Sequence, residues 1–550
     1  MIPRPSAKRV FVYALLVAGS LVFSLPFVWM ATTSTKVDRE LFGPGLNLFP
    51  DCPNPRLTSP YIDATRVLAD AQQAAPEILV GLEEHVRQRL GNRVPKDVYD
   101  GAWAEDLAQA AGSKLLKALP SDVWGGGPDA VLAAAPNVLT DRVLEDLFER
   151  IHFRLCVGQI RVRSTHLQED VLGQGSPLVD RLLNRTPESA TLTEMADRGG
   201  KYVSVAYDFE RASDIVLSNT FNPVFDPEDL QRLQLHIKPD DTWHELDIVL
   251  EVGGKRYVGE RPFPLANDTW ATVTWQKPGP DDHSTKIKTW VLLREDGEAV
   301  GAFDTPGQLR LTLRVTRSSF LGALGSKLAM NYIRVLDHIP FWRYVQVSLF
   351  LVIVNVVLTV FACSLVAYAF ARLQWPGREF CFLLMLATLM IPSQVTMIPH
   401  FLIWRAFGMY NTLYPLWFGR LFGNAFFIFL LRQFLRGVPR DLEDAARIDG
   451  CGTFRIYWHL MLPLMKPSLA AIAIFTFMGT WNDFMGPLIY IADQRLYPLA
   501  FGLYAFAVQV GNNPALTMAG SLLMTVPVIV IFFFAQKYFI QGVTLTGMKG

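Results

Sequence analysis

Residues 439–463 read PRDLEDAARIDGCGTFRIYWHLMLP, and the rest of the chain is read outward from them. The string predicts a helix, a hinge and a second helix. Pro439 stands where a first helical position tolerates a missing N–H, and Asp441, Glu443 and Asp444 place negative charge at the positive end of the helix dipole. Ala445 and Ala446 give this helix a small-residue face that another backbone can approach closely. Gly450 ends it, because glycine takes the left-handed cap without strain. Thr453 is then placed to cap a second helix that closes near Pro463. Long apolar segments flank the stretch on both sides, which pins a polar amphipathic helix just outside a membrane. Pattern alone leaves two readings of such a helix, a docking element or a solvated connection.

The chain has 550 residues, of which 51% are apolar, and its 51 Lys and Arg balance 51 Asp and Glu. That length has room for more than one domain, and the neutral balance gives no sign of a nucleic-acid or polyanionic partner. Six segments are apolar over about 20 residues, enough to cross hydrocarbon. They are 10–33, 345–370, 380–404, 413–435, 468–491 and 517–540. Arg4, Lys8 and Arg9 precede the first, so the N-terminus is expected in the cytoplasm. The first run is too long for an ordinary signal-peptide core and no small-x-small site follows it, so it reads as an uncleaved span. The basic connections 372–379 and 436–466 and the tail from Lys537 fall on the same side as the N-terminus. Both termini are therefore expected inside.

Residues 35–342 contain no spanning segment and are expected outside the cytoplasm. In their first half, 61–73, 77–90, 102–119 and 140–151 carry apolar residues at helical spacing, broken by Pro76, Pro95, Pro120 and Gly125-Gly126-Gly127. In their second half, 202–209, 233–237, 245–252, 270–275, 286–293 and 308–316 read as strands, with turns such as Lys238-Pro239-Asp240-Asp241. Short, evenly spaced strands suggest an antiparallel sandwich. The predicted fold is thus a polytopic α-helical membrane protein with an inserted α+β extracytoplasmic domain. Its divisions are 1–34 (first span), 35–328 (35–152 mainly helical, 153–328 mainly β) and 329–550, with the polar loop at 437–466.

Cys52 and Cys156 are the only cysteines of the exported region. An oxidising compartment permits a disulfide between them, and two separate thiols fit equally well. Asp240-Asp241 and Asp281-Asp282 read as solvated turns. Trp243, Trp270, Trp275 and Trp290 form either a sugar-stacking platform or, as strand tryptophans commonly do, part of the core. There is no G-x-x-x-x-G-K-[ST], so no P-loop nucleotide site is expected, and no H-E-x-x-H or C-x-x-C, so no metal site. Polar residues within a span are functional candidates by default. Asn482 and Asp483, with Trp481 and Phe484 beside them, fall within the 468–491 span. They suit either a carbohydrate path, rings stacking on sugar C–H faces while amide and carboxylate take hydroxyls, or ties between helices. Arg420 and Asn424, one turn apart in the fourth span, pose the same choice, with Arg420 snorkelling to the outer interface as the favoured reading.

Asp444-Ala445-Ala446-x3-Gly450-x9-Leu460-x-Leu462-Pro463 resembles the EAA motif of ABC importer permeases, E-A-A-x3-G-x9-I-x-L-P, with Asp for Glu and Leu for Ile. Four more segments are similar to the maltose/glycerol-phosphate, MalG-like branch of that family. They are Asn331-Tyr332 with Phe341-Trp342-Arg343-Tyr344, Ala367–Arg372 with Trp375-Pro376-Gly377-Arg378, Trp481–Phe484 with Pro487-Leu488, and Gln536–Gly542 with Lys549-Gly550. The likeness covers about 1–49 and 329–550. It departs at Val347, where the family has Asn, and at the insertion, on which it is silent. It implies a six-helix transport subunit that is not an enzyme, with no cofactor of its own, ATP and Mg being held by a partner ATPase dimer. It further implies a second, MalF-like permease, a solute-binding protein, an inner-membrane location and alternating access. Asp441, Glu443, Asp444, Ala445, Ala446, Asp449, Gly450, Leu460 and Pro463 are then the coupling residues, and Asn424, Trp481, Asn482, Asp483 and Phe484 the pathway residues. A glycerol-phosphate-like or peptide-like solute, or a membrane sensor acting through the insertion, are the alternatives.

Overall fold

The computed structural model of the chain describes residues 7–42, 48–68, 76–94, 102–174, 180, 182–197, 200–279, 290–299, 307–511 and 513–543. It divides into two compact units, one built from the residues up to Thr35 and from Asn331 onward, the other from residues between Lys36 and Met330.

The first unit is helical. Among the described residues four helices are long and apolar enough to cross a membrane: Phe11–Thr33, Phe341–Arg372, Tyr414–Arg436 and Pro514–Phe534. Two bent pairs raise the number to six if each counts as one span: Arg378–Met390 with Gln394–Ala406, bent by 104°, and Thr453–Leu464 with Lys466–Trp481, bent by 75°. The apolar spans expected at 380–404 and 468–491 are not single continuous helices. The first is broken at Ile391-Pro392, where proline removes an N–H and restricts the residue before it. The second ends as a helix at Trp481 and resumes as the short helix Met485–Tyr490. The end of the first helix meets the start of the later ones, since Asn331 Nδ2 donates to the Ser34 carbonyl at 2.9 Å and the Ser34 and Tyr332 hydroxyls lie 2.6 Å apart. A chain whose ends meet in this way tolerates a long insertion between them.

Tyr344 sits wholly buried in this unit against Gly502, where an added Cβ would stand 2.3 Å from its ring. Gly502→Ala should therefore cost about 1–3 kcal/mol through overpacking, read as a lowered Tm of the detergent-solubilised protein. Gly479→Ala, whose Cβ meets nothing within 4 Å, should lower it not at all.

The second unit has a helical part and a β part, each with its own core. Pro76–Leu90, Ala102–Ala118, Pro128–Val138 and Asp141–Ile151 enclose Leu82, Val86, Leu107, Leu115, Val131 and Leu144. The helix at 128–138 was hidden by the glycine run, which in fact launches it: Gly127 takes φ 86° and Pro128 fills the first turn. The helix expected over 61–73 is instead a strand at Tyr61–Ile62 and one helical turn at Thr65–Leu68, with 69–73 outside the described residues.

The β part is one sheet path folded over a single core rather than two separate sheets. Its main order runs Thr58–Ser59, Gly200–Asp208, Leu155–Ser164, Leu230–Lys238, Ala271–Gln276, Val291–Glu298, Lys255–Gly259, Glu245–Val252, Leu309–Thr316, Asp214–Phe221, Leu183–Asn184. All of these neighbours are antiparallel except Ala271–Gln276 with Val291–Glu298. Alternate residues such as Leu233, Leu235, Leu311 and Leu313 meet in the core from both layers.

Two choices left open by the sequence are decided here, and one expectation fails. Cys52 is exposed and Cys156 buried in its strand, and both are free thiols, the second of the two readings. Trp243 and Trp275 are core residues and only Trp270 and Trp290 remain half-exposed, so no platform of four exists. The turn at Asp240-Asp241 is buried, not solvated. The Tyr207 and Thr242 hydroxyls donate to the two Asp240 carboxylate oxygens at 2.6 and 2.7 Å, and the Tyr61 hydroxyl donates to the Asp240 carbonyl at 2.9 Å. Asp241 is held by Arg39 at 2.6 Å and by Arg66. Buried carboxylates persist when paired in this way. Asp281-Asp282 lies outside the described residues.

Two buried histidines give this unit a pH dependence. The Ser318 N–H donates to His244 Nδ1 at 3.2 Å, so Nε2 carries the proton and donates to the Arg56 carbonyl at 2.8 Å, which keeps the ring neutral. Burial pushes the His244 pKa down, and burial with the Arg154 and Lys238 cations pushes His152 well down. The unfolded chain protonates both below about pH 6.5 while the fold resists. Stability should hold above that pH and fall below it. A Tm series on the full protein between pH 7.5 and 5 checks this, with His152→Gln expected to flatten the decline.

Candidate functional site

The motif stretch folds as a short helix, Asp441–Ile448, closed by Gly450 at φ 81°. The Cys451 N–H donates to the Ala446 carbonyl at 2.9 Å and the Gly450 N–H to the Arg447 carbonyl at 3.0 Å, the two bonds of a Schellman cap. A second helix starts at Thr453 behind Gly452. Thr453 is thus its first residue and not its cap. The turns widen to a π-helix at Tyr457–Met461 and end at Leu462–Leu464.

The packing sorts the predicted coupling residues into two sets. Asp441, Asp444, Ala445, Asp449, Gly450 and Pro463 are exposed, while Ala446 and Leu460 are half-buried against the core. Glu443 is turned inward. Its Oε1 lies 2.8 Å from Arg372 Nε at the end of the long helix Phe341–Arg372, with side chains only 4% and 3% exposed. The contact is an ion pair without aligned hydrogen-bond geometry. Arg372 Nη2 donates to the Leu435 and Val438 carbonyls at 2.6 and 2.7 Å, at the end of the helix Ala425–Arg436. One guanidinium thus joins the short helix to the ends of two long ones. Behind it the Tyr457 hydroxyl meets Ser364 Oγ at 2.8 Å, and the Tyr368 hydroxyl reaches the Thr453 carbonyl at 3.5 Å.

Arg372 carried a signal that was read only as part of a turn motif: an arginine ending an apolar helix is costly to bury unless a carboxylate meets it. The exposed apolar residues were missed as well. Ile448 is 86% and Phe454 66% exposed, with Leu442 and Trp458 also open, so the acidic helix carries an apolar rim.

The predicted pathway residues do not form one cluster. Trp481 is buried and donates to the Met524 carbonyl at 3.2 Å, a tie between helices. Asn482 and Phe484 are exposed at the break after Trp481, and Asp483 Oδ1 accepts the Gly486 N–H at 3.0 Å, which starts the next helix. Asn424 is not in the same helical turn as Arg420, because Gly423 at φ 77° separates them. Asn424 instead caps the helix Ala425–Arg436, accepting from the Phe426 and Phe427 N–H groups at 3.0 and 3.2 Å. The sequence reading passed over Asn355, Thr359 and Thr476, which are buried in helices with side-chain oxygens that meet no hydrogen-bond partner among the described residues. No group of three or more potential metal ligands occurs among the described residues.

The family pattern described as "Binding-protein-dependent transport system inner membrane component" matches residues 359–545. The chain is 39% identical to the arabinooligosaccharides transport system permease protein AraQ of Halalkalibacterium halodurans, over 38% of this chain and 75% of that one. It is 37% identical to AraQ of Bacillus subtilis, over 37% of this chain and 72% of that one. With the lactose transport system permease protein LacG of Rhizobium radiobacter the identity is 29%, over 43% and 85% of the two chains.

Proposed function

Because this chain belongs to the binding-protein-dependent transport system inner membrane components, the permease subunits of ABC importers, we propose that it forms half of a sugar's path across the inner membrane. It is a multi-pass transport subunit and not an enzyme; ATP and its Mg are handled by a separate ATPase. Relatives named for arabinooligosaccharide and lactose transport support a sugar as the solute class. The bent pairs count as single spans in this reading, giving six. Both termini and the 437–466 loop face the cytoplasm, and residues 35–342 face the other side, which follows the placement of Lys and Arg.

The observation that carries the mechanism is the exposed, Schellman-capped helix Asp441–Ile448 bolted from behind by the Arg372–Glu443 pair. Asp441, Asp444 and the apolar rim seat in a cleft of one ATPase subunit. When the ATPase dimer closes on ATP, the push enters the helix and leaves through Arg372 into the helices Phe341–Arg372 and Ala425–Arg436. A rigid, buried link suits this task because packed elements shift between discrete arrangements rather than bending. Asn482 and Phe484, exposed at a helix break, line the path together with a MalF-like second permease, and a solute-binding protein delivers the sugar.

Co-expression with the ATPase and partner permease of the same operon tests this. A complex should co-purify, and proteoliposomes holding it should accumulate a labelled oligosaccharide only with ATP inside and binding protein outside. Asp441→Lys with Asp444→Lys should strip the ATPase from the complex. Retention of the ATPase by that variant would remove the docking role.

A further inference from the structure

The outer face of the β unit lies beyond residues 359–545 and carries features that the transport mechanism does not use. Three central strands, Leu155–Ser164, Leu230–Lys238 and Ala271–Gln276, pair side by side with Gln234 set between Arg161 and Thr274, and Arg232 opposite Gln276. While Leu233, Leu235 and Val273 fill the core, these polar residues alternate to the other side.

Two guanidiniums on that face meet no carboxylate among the described residues. Arg161 lays its fork on the Gln159 side-chain oxygen at 3.2 and 2.8 Å, and Arg232 does the same on Gln276 at 3.1 and 2.8 Å. Other strand arginines are neutralised, Arg310 by Glu251 at 3.1 Å and Arg314 by Asp214 at 2.8 Å in the facing layer, and Arg163 by Glu169 at 3.5 Å on this face. An amide orients a guanidinium without cancelling its charge, leaving it ready for a bidentate anion.

Aromatic planes accompany the charges. Arg232 lies over the Trp290 ring at 5.2 Å. Two residue pairs along the same strand, about 13 Å away at the strand rise, His236 stacks on half-exposed Trp270 with centroids 4.6 Å apart and planes 5° from parallel. Tyr202 closes on Trp270 edge-on at 5.4 Å. Gly158 clears the ground beneath, since a Cβ there would stand 3.1 Å from the His236 ring and 3.3 Å from Trp270.

We propose that this face binds an anionic oligosaccharide, one whose sugar units carry carboxylates. Planar rings suit the C–H faces of pyranoses, the amides and the Thr274 hydroxyl suit sugar hydroxyls, and the two open guanidiniums take carboxylates. An acidic peptide fits less well. Peptides dock on sheets by pairing with a free edge, and Leu155–Ser164 and Leu230–Lys238 have neighbours on both sides, as does Ala271–Gln276 at Trp275 and Gln276. The site would gather a charged glycan on the unit that carries no transport motif, and it stands or falls separately from the permease reading.

The test uses the full-length protein in lipid nanodiscs without ATPase, titrated calorimetrically with hexagalacturonate, maltohexaose and hexaglutamate. Hexagalacturonate should bind saturably. Arg161→Gln with Arg232→Gln should weaken it about tenfold or more with Tm unchanged, and Trp270→Ala should weaken it as much while lowering Tm slightly. Maltohexaose should bind at least about tenfold more weakly than hexagalacturonate. Absence of saturable hexagalacturonate binding, or equal affinity in both variants, would overturn the proposal. So would hexaglutamate binding as tightly as the glycan, which would make the face a general polyanion surface.

Discussion

Arg372→Ala should abolish solute uptake and lower the stability of the membrane unit. Arg372 and Glu443 are almost wholly buried and 2.8 Å apart, and Arg372 also satisfies two carbonyls at the end of a neighbouring helix. Removing the guanidinium strands a buried carboxylate, for which breaking a buried pair typically costs about 3–5 kcal/mol. The helix Asp441–Ile448 would then lose its anchor to the long helices while keeping its exposed face. In reconstituted vesicles uptake should vanish, while the ATPase still binds and hydrolyses ATP. Arg372→Met combined with Glu443→Leu should recover most of the lost Tm, since an apolar pair of similar volume replaces buried ions at little cost. Normal uptake by Arg372→Ala would show that force does not travel through this guanidinium.

The second large effect is expected at Gly450. Its φ of 81° is a left-handed cap, and a Cβ there would meet nothing within 4 Å. Gly450→Ala should therefore cost only backbone strain, roughly 1–2 kcal/mol, and Gly450→Asn less. Gly450→Trp adds bulk to an exposed position at the end of the helix Asp441–Ile448. Uptake should be lost in that variant while membrane insertion, checked by protease protection, stays intact. Survival of uptake in vesicles carrying Gly450→Trp would leave this end of the helix outside the coupling surface.

Much of the protein was legible because its signals are local. Apolar length marked the four helices long enough to cross a membrane, and the helix at Asp441–Ile448 announced itself through acidic first-turn residues and a terminal glycine. The strands at Glu245–Val252 and Leu309–Thr316 followed from alternation. Family motifs placed the membrane unit in its class, but they were silent on the insertion, where only periodicity could be used.

What the linear pattern could not supply was the direction in which a polar side chain turns. Asp441, Glu443 and Asp444 are equivalent as first-turn acids, yet only Glu443 finds an arginine 71 positions earlier and is buried with it. Asp240-Asp241 has the composition of a solvated turn, but Tyr61, Tyr207, Arg39 and Arg66 arrive from distant segments to satisfy it. Asn482 and Asn424 look alike in sequence as intramembrane amides, and the tertiary structure makes one an exposed residue at a helix break and the other a helix cap. By itself the sequence determined where helices and strands form and that the chain enters a membrane, because periodicity, turn chemistry and apolar length act between near neighbours. Only the tertiary structure decided which charges are buried, which thiols stay apart and which residues face outward, because desolvation is offset only by partners brought together across the fold.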